Sequence, residues 1–258
     1  RFGDIAAPAF QSMELKSVSF GYVPGKTVLS NISMKINRGE KIAIVGYNGA
    51  GKSTLISLLL HLYNPEHGEI LYNGKSIEEF DSASIHSRIG VVLQDYRIFA
   101  LPLSENVLRD KFEESDESRI RYALKNACFE SKLQTLPNGI CSEMTKEFYK
   151  DGVNLSGGES QKVAISRIFA SPFDVIIMDE PSAALDPKAE HDLSINLAKH
   201  SKEKTLIIIS HRLSTTCSMD KIYMFDGGKI IEEGSHSELM EAGGKYAQIF
   251  NMQAEKYQ

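Results

Sequence analysis

The chain has 258 residues, 42% hydrophobic and 24% charged, an ordinary globular composition with room for one large domain or two lobes. Its formal net charge of -5, without a Lys/Arg run, speaks against a nucleic-acid partner, which would ask for a basic face. No stretch approaches the ~18 consecutive apolar residues of a membrane span, and Cys128, Cys141 and Cys217 are too dispersed for a zinc site or a disulfide framework, which fits a reducing compartment.

Residues 1–12, "RFGDIAAPAFQS", lack periodicity and open on Arg1 rather than Met. They are expected to be a linker from an upstream segment, with the domain proper over 13–258. "MELKSVSF" (Met13–Phe20) alternates like a half-exposed strand. "KIAIVG" (Lys41–Gly46) reads as a short buried strand, and "KSTLISLLLHL" after it as a helix. "EILYNG" and "IGVVLQD" read as further strands. A helical insertion is expected over about 95–170, where "DESRIRYALKNACF" carries apolar residues at helical spacing. "DVIIMDE" and "TLIIISH" are apolar enough to be buried on both faces of a parallel sheet. "KIYMFDGGKIIEEG" reads as a hairpin around Asp226–Gly228, and "GGKYAQIFNMQAEKY" closes the chain as an amphipathic helix.

"GYNGAGKS" satisfies G-x-x-x-x-G-K-[ST] between a predicted strand and a predicted helix, the context that pattern requires. Gly46, Tyr47, Asn48, Gly49, Ala50 and Gly51 are expected to wrap phosphates with their N–H groups. Lys52 would reach the β- and γ-phosphates, Ser53 would ligate Mg2+ and Thr54 would bond the α-phosphate. "VIIMDE" places Asp179 at the end of a buried strand, where an open parallel sheet presents ligand groups. Asp179 is expected to hold Mg2+, and Glu180 to act as general base on the attacking water. His211 ends another such strand and is expected to contact the γ-phosphate, while the Gln94 amide is placed to touch Mg2+ or the lytic water. "NLSGGESQKVAISR" offers a second anion cradle: the Ser156 hydroxyl and the Gly157 and Gly158 amides at a helix N-terminus.

In this order the phosphate loop, Gln94, "LSGGE", "VIIMDE", "AALD" and "SHR" resemble the nucleotide-binding domain of an ATP-binding cassette (ABC) transporter, over about residues 13–252. The resemblance implies an α/β fold: a P-loop NTPase core with a mainly parallel sheet, an antiparallel β subdomain at the N-terminal side and an inserted α-helical subdomain. It implies that Tyr22 stacks on adenine, and that Ser156, Gly157, Gly158 and Glu159 form the signature that closes over a partner's ATP. Ala183–Asp186 would be the D-loop, with Asp186 its acidic residue. Catalysis would rest on Glu180, His211, Gln94 and Lys52, with ATP as substrate and Mg2+ held by Ser53, Gln94 and Asp179. The second cradle is thus for the ATP of a second such domain, in a head-to-tail homodimer.

"TLPNG" and "GSHSELMEAGGKYAQIF" resemble the exporter type, fused to a transmembrane domain and lying at the cytoplasmic side of the cell membrane. "DYRIFALPLSENV" would then help to receive that membrane domain, or Ile98, Phe99 and Leu101 would be core of the helical lobe. Two positions depart from the pattern: Lys150-Asp151-Gly152 replaces the usual Glu-Arg-Gly, and Ala183 stands where Ser is common. The alternative reading is a non-transport ABC ATPase acting on nucleic acid or ribosomes, which would ordinarily carry a coiled-coil insertion or a second cassette. Neither is visible here.

Overall fold

The structure, a computed structural model, describes residues 3–181 and 184–255. In chain order the elements are β1 (Ser12–Phe20), β2 (Leu29–Asn37), β3 (Lys41–Gly46), α1 (Lys52–Leu59), β4 (His67–Tyr72), β5 (Lys75–Ser76), α2 (Ser82–Arg88) and β6 (Ile89–Val92). There follow α3 (Leu103–Leu108), α4 (Glu117–Asn126), α5 (Glu130–Leu133), α6 (Gly157–Ala170), β7 (Val175–Asp179), α7 (Pro187–His200) and β8 (Thr205–Ser210). The chain closes with β9 (Lys221–Asp226), β10 (Lys229–Gly234), α8 (His236–Ala242) and α9 (Lys245–Ala254). They divide between two compact units, one of residues 1–89, 174–180 and 203–258, the other of residues 90–173 and 181–202.

The first unit holds an antiparallel sheet in the order β2-β1-β4-β5 and a mixed sheet in which β10-β9-β3-β8-β7 are neighbours. In the mixed sheet β9, β3, β8 and β7 run parallel and β10 turns back on β9. The fold is therefore α/β, as expected. Ile42, Ala43, Ile44 and Val45 of β3 are all fully buried, the burial that a continuous apolar strand demands. Pairing sets Val45 opposite Ser210 and Asp179 opposite Ile209, so β3, β7 and β8 end at one edge of the sheet. The expected hairpin is present as β9 and β10.

Residues ahead of β1 pack onto this unit: Ile5 N–H donates to Glu79 O at 3.2 Å, and buried Phe10 meets Tyr72 edge-on at 5.7 Å. At the far end, Ser235 and Glu238 form a capping box that starts α8. The expected terminal helix is α9. Its Tyr246 is buried with Ala43, Val45, Leu213, Ile222, Met224 and Leu239, which ties the helix to the sheet.

The second unit is mainly helical. Leu103 and Val107 of α3, Ile120, Ala123 and Leu124 of α4, and Val163, Ala164 and Ile168 of α6 are among its buried apolar side chains. Its residues 181–202 carry α7 and lie beyond the helical stretch expected at about 95–170. α7 begins with Asp186 as N-cap, accepting from Ala189 N–H at 2.9 Å, and with Pro187 at its first position.

Candidate functional site

The phosphate loop leaves β3 at Gly46 and enters α1 at Lys52. Gly46 has φ 151°, and a Cβ there would collide with the carbonyl oxygen of Phe225, so the turn requires glycine. Tyr47, Asn48 and Gly49 are exposed along the loop, and Ala50 N–H closes it on Tyr47 O at 3.2 Å. Gly51, with φ 98°, is the N-cap of α1, so the first N–H groups of the helix face the loop. Lys52 is buried, and its Nζ donates to the carbonyls of Gly46 at 2.8 Å and Tyr47 at 3.0 Å. Burial pushes its ammonium below the ordinary value, while the carboxylates of Glu180 and Asp179 pull it back up. Ser53 is exposed on the first turn, and Thr54 is buried behind it.

Both expected carboxylates stand at the end of β7. Asp179 is buried, as the last residue of a fully buried strand. Glu180 follows with φ 51°, a left-handed conformation that costs a non-glycine residue about 1–3 kcal/mol. Its N–H donates to Ile209 O at 2.9 Å, which fixes that turn against β8. Its Oε1 accepts from the His211 backbone N–H at 2.9 Å and lies 2.7 Å from His211 Nδ1. Nδ1 therefore carries the hydrogen in this arrangement, and Nε2 is the ring nitrogen left for a ligand. The His211 ring is more than half exposed.

Tyr22 belongs to an aromatic trio. Its ring stands edge-on to Phe20 at 5.1 Å and to Tyr63 at 5.3 Å, while half of its own surface stays exposed. Its hydroxyl donates to Thr54 Oγ1 at 3.2 Å, a direct link between the aromatic trio and the first turn of α1.

The remaining candidates lie in the second unit. Gln94 is exposed just past β6. Ser156 and Glu159 form a capping box on α6: the Ser156 hydroxyl accepts from Glu159 N–H at 3.3 Å and Glu159 Oε2 accepts from Ser156 N–H at 2.8 Å. Burial would raise the Glu159 pKa, but the Ser156 N–H and Lys132, 3.2 Å away, together hold it below the usual carboxylate range. Gly157 is exposed, and its carbonyl accepts from the Tyr96 hydroxyl at 2.9 Å. A Cβ on Gly158 would stand 2.7 Å from Ala184 O, so only glycine lets the chain pass so close to α6. Asp186 is committed to capping α7, and the Ala189 N–H lowers its pKa. Of the expected D-loop, Ala183 lies outside the described residues.

Phe99 and Leu101 are exposed and Ile98 is half-buried, so two of the three residues in question are not core of the helical unit. Buried Asn106 presents them: its Oδ1 accepts from Phe99 N–H at 2.8 Å, and its Nδ2 donates to Phe99 O and Leu101 O at 3.0 Å. Arg167 of α6 donates to Asn106 O at 2.9 Å and to Arg97 O at 2.8 Å. Burial, with Arg109 nearby, brings the Arg167 pKa down to about 10.

The family model described as ABC transporter matches residues 29–183, more than half of the chain. The chain belongs to the ABC transporter family. It is 36% identical over 242 residues to the ATP-binding/permease protein YgaD of Bacillus subtilis, covering 93% of this chain and 41% of that protein. It is 34% identical over 248 residues to the ATP-dependent lipid A-core flippase of Alcanivorax borkumensis, covering 96% and 42%. A solved structure of a bacterial Atm1-family ABC exporter with ATP bound matches with a TM-score of 0.88 and 33% identity, over 98% of this chain and 44% of that one. The chain spans about two fifths of the length of these curated relatives.

Some residues of this ABC transporter domain that shape its candidate sites carry no motif. Lys132, Tyr96, Asn106 and Arg167 act through hydrogen bonds formed only in the fold. Gln253 left one signal: it is a polar residue on the face of α9 that also carries Tyr246, Ile249 and Phe250.

Proposed function

We infer that this chain binds ATP with Mg2+ and hydrolyses it, and that two copies close head-to-tail around two ATP molecules to drive export across a membrane. The observation that carries the reading is the Glu180–His211 pair, 2.7 Å apart on the ends of β7 and β8, beside the strand that feeds the phosphate loop. Glu180 takes the proton of the attacking water, and the two bonds from His211 orient its carboxylate. His211 Nε2 meets the γ-phosphate, Lys52 leaves its loop carbonyls for the β- and γ-phosphates, and Tyr22 carries the adenine on its exposed face.

The donor set fits Mg2+. Among the described residues no group of three or more His, Cys, Asp or Glu side chains could hold a metal ion by itself. Ser53 and Asp179, together with phosphate oxygens, would supply the oxygen ligands that Mg2+ takes in place of an all-protein cage. When bound, Mg2+ neutralises charge on the β- and γ-phosphates.

Ser156, Gly157 and Gly158, on the second unit, then serve the ATP of the partner copy. Among the described residues no helix is long and apolar enough to cross a membrane. The membrane path belongs to a transmembrane domain, against which Phe99 and Leu101 are exposed to dock, at the cytoplasmic side of the cell membrane. The relatives' names support transport over the alternative of nucleic-acid or ribosome work. The test is Mg2+-dependent phosphate release from ATP by the purified chain, which should slow about 10²–10⁴-fold in Glu180→Gln. Release at close to the parent rate in this variant would overturn the assignment of the base.

A further inference from the structure

The apolar face of α9 runs through Tyr246, Ile249 and Phe250, and the next position on it is Gln253. The Gln253 amide makes a two-point bridge to the backbone beyond β8. Its Nε2 donates to the His211 carbonyl at 2.7 Å, and its Oε1 accepts from the Leu213 N–H at 2.9 Å. This stretch follows the last strand residue, Ser210, so no β-ladder holds it. His211 is thus gripped from both sides, with its N–H and ring on Glu180 and its carbonyl on Gln253.

A bridge positions only if its abutment is rigid, and α9 is fixed at several points. Tyr246 is fully buried, with its hydroxyl 2.8 Å from both Thr216 Oγ1 and His236 Nδ1. Thr216 in turn donates to the Leu213 carbonyl at 2.6 Å. At the start of the helix the Glu232 carboxylate accepts from Lys245 N–H at 2.6 Å and from Tyr246 N–H at 3.0 Å. Gln253 also lines a cleft of about 510 Å³ with Gly46, Tyr47, Asn48 and His211, which sets it beside the phosphate loop.

We propose that Gln253 is a positioning residue for hydrolysis: by holding the His211 carbonyl and the Leu213 N–H it sets the His211 ring against Glu180. The proposal rests on the ATPase reading above. A plain tie between α9 and the sheet would make the same two bonds, but its loss would lower stability and leave the rate per folded molecule alone.

The experiment uses the full chain with Gln253→Met, which keeps length and helix propensity but removes both bonds, and Gln253→Glu, which keeps only an acceptor for Leu213. Both should lower kcat about tenfold while KM for MgATP stays within about twofold, the pattern of a misplaced catalytic group. Amide hydrogen exchange at Leu213 should quicken in Gln253→Met and stay slow in Gln253→Glu. In a Glu180→Gln background, where the base that the His211 ring is set against is gone, Gln253→Met should cost no further rate. An unchanged kcat in Gln253→Met, or the same fold loss in both backgrounds, would overturn the proposal. A chain that releases no phosphate at all would sink the ATPase reading instead. In that case the exchange arm still decides the bridge, since unaltered exchange at Leu213 in Gln253→Met would refute it.

Discussion

One carboxylate oxygen of Glu180, Oε1, lies 2.7 Å from His211 Nδ1 and 2.9 Å from the His211 backbone nitrogen, so it holds both the ring and the backbone of the residue that follows the neighbouring strand. Glu180 accepts a left-handed backbone, φ 51°, to make this contact. Strain at one residue, opposed by three hydrogen bonds to β8 and His211, is what a preorganised pair requires.

The pair should behave as a unit. Glu180→Gln keeps an acceptor for both His211 bonds, so nucleotide affinity should hold while hydrolysis falls about 10²–10⁴-fold. His211→Ala should also slow turnover, and the double variant should be little slower than the worse single one. Steady-state rates of the four proteins complete the cycle. Full additivity would mean that the two residues act separately.

Tyr22 offers a separable test because its ring and its hydroxyl do different things. Tyr22→Ala should weaken nucleotide binding by about 0.5–1.5 kcal/mol, the worth of an aromatic stacking contact. Tyr22→Phe, which loses only a half-exposed bond to Thr54 Oγ1, should bind almost as the parent does. Calorimetric titration of both variants checks this. Equal losses would assign the effect to the hydroxyl and its hold on the phosphate loop.

The loop between β3 and α1 was legible because its geometry dictates its residues: a buried strand, a glycine, Gly46, where a Cβ would strike Phe225, and a lysine opening a helix. The same holds for Asp179 and His211, each read from an apolar run that ends at a polar residue. What the order of residues does not carry is which strands become neighbours. β3 lies between β8 and β9, and only that pairing turns motifs far apart in sequence into one edge. Conformation is hidden too, since nothing near Glu180 announces a left-handed residue. Glu159 has a capping role beside its expected place in the signature, and the Ser-x-x-Glu spacing does encode that role. Asn106 and Arg167 had no local signal, because what they hold is a loop that other elements bring to them.

The Glu159 cap predicts a pH signature. Its folded pKa is depressed, so the stability it adds is complete above the ordinary Glu value and is lost as pH falls through the folded one. Glu159→Ala should lower the melting temperature at neutral pH by about 2–4 °C, for a partly exposed cap worth at most about 1 kcal/mol. The gap between the two proteins should close below about pH 4. Melting curves over that range decide it. A gap that stays constant would mean that the carboxylate charge is not what holds the start of α6.

The central claim is that the cradle at Ser156 serves the ATP of a second copy, and complementation measures this most directly. Lys52→Ala disables the phosphate loop, and Ser156→Arg blocks the signature by bulk and charge. Each homodimer then holds two broken sites. In a mixed dimer the Ser156→Arg chain supplies an intact phosphate loop and the Lys52→Ala chain an intact signature, so two-fold symmetry leaves one whole site. ATP turnover is measured for each variant alone and for the mixture, with mixed dimers verified and nucleotide trapping in a Glu180→Gln background as a second readout. The account predicts recovery of turnover or trapping only in the mixture. Verified mixed dimers that recover neither would contradict it.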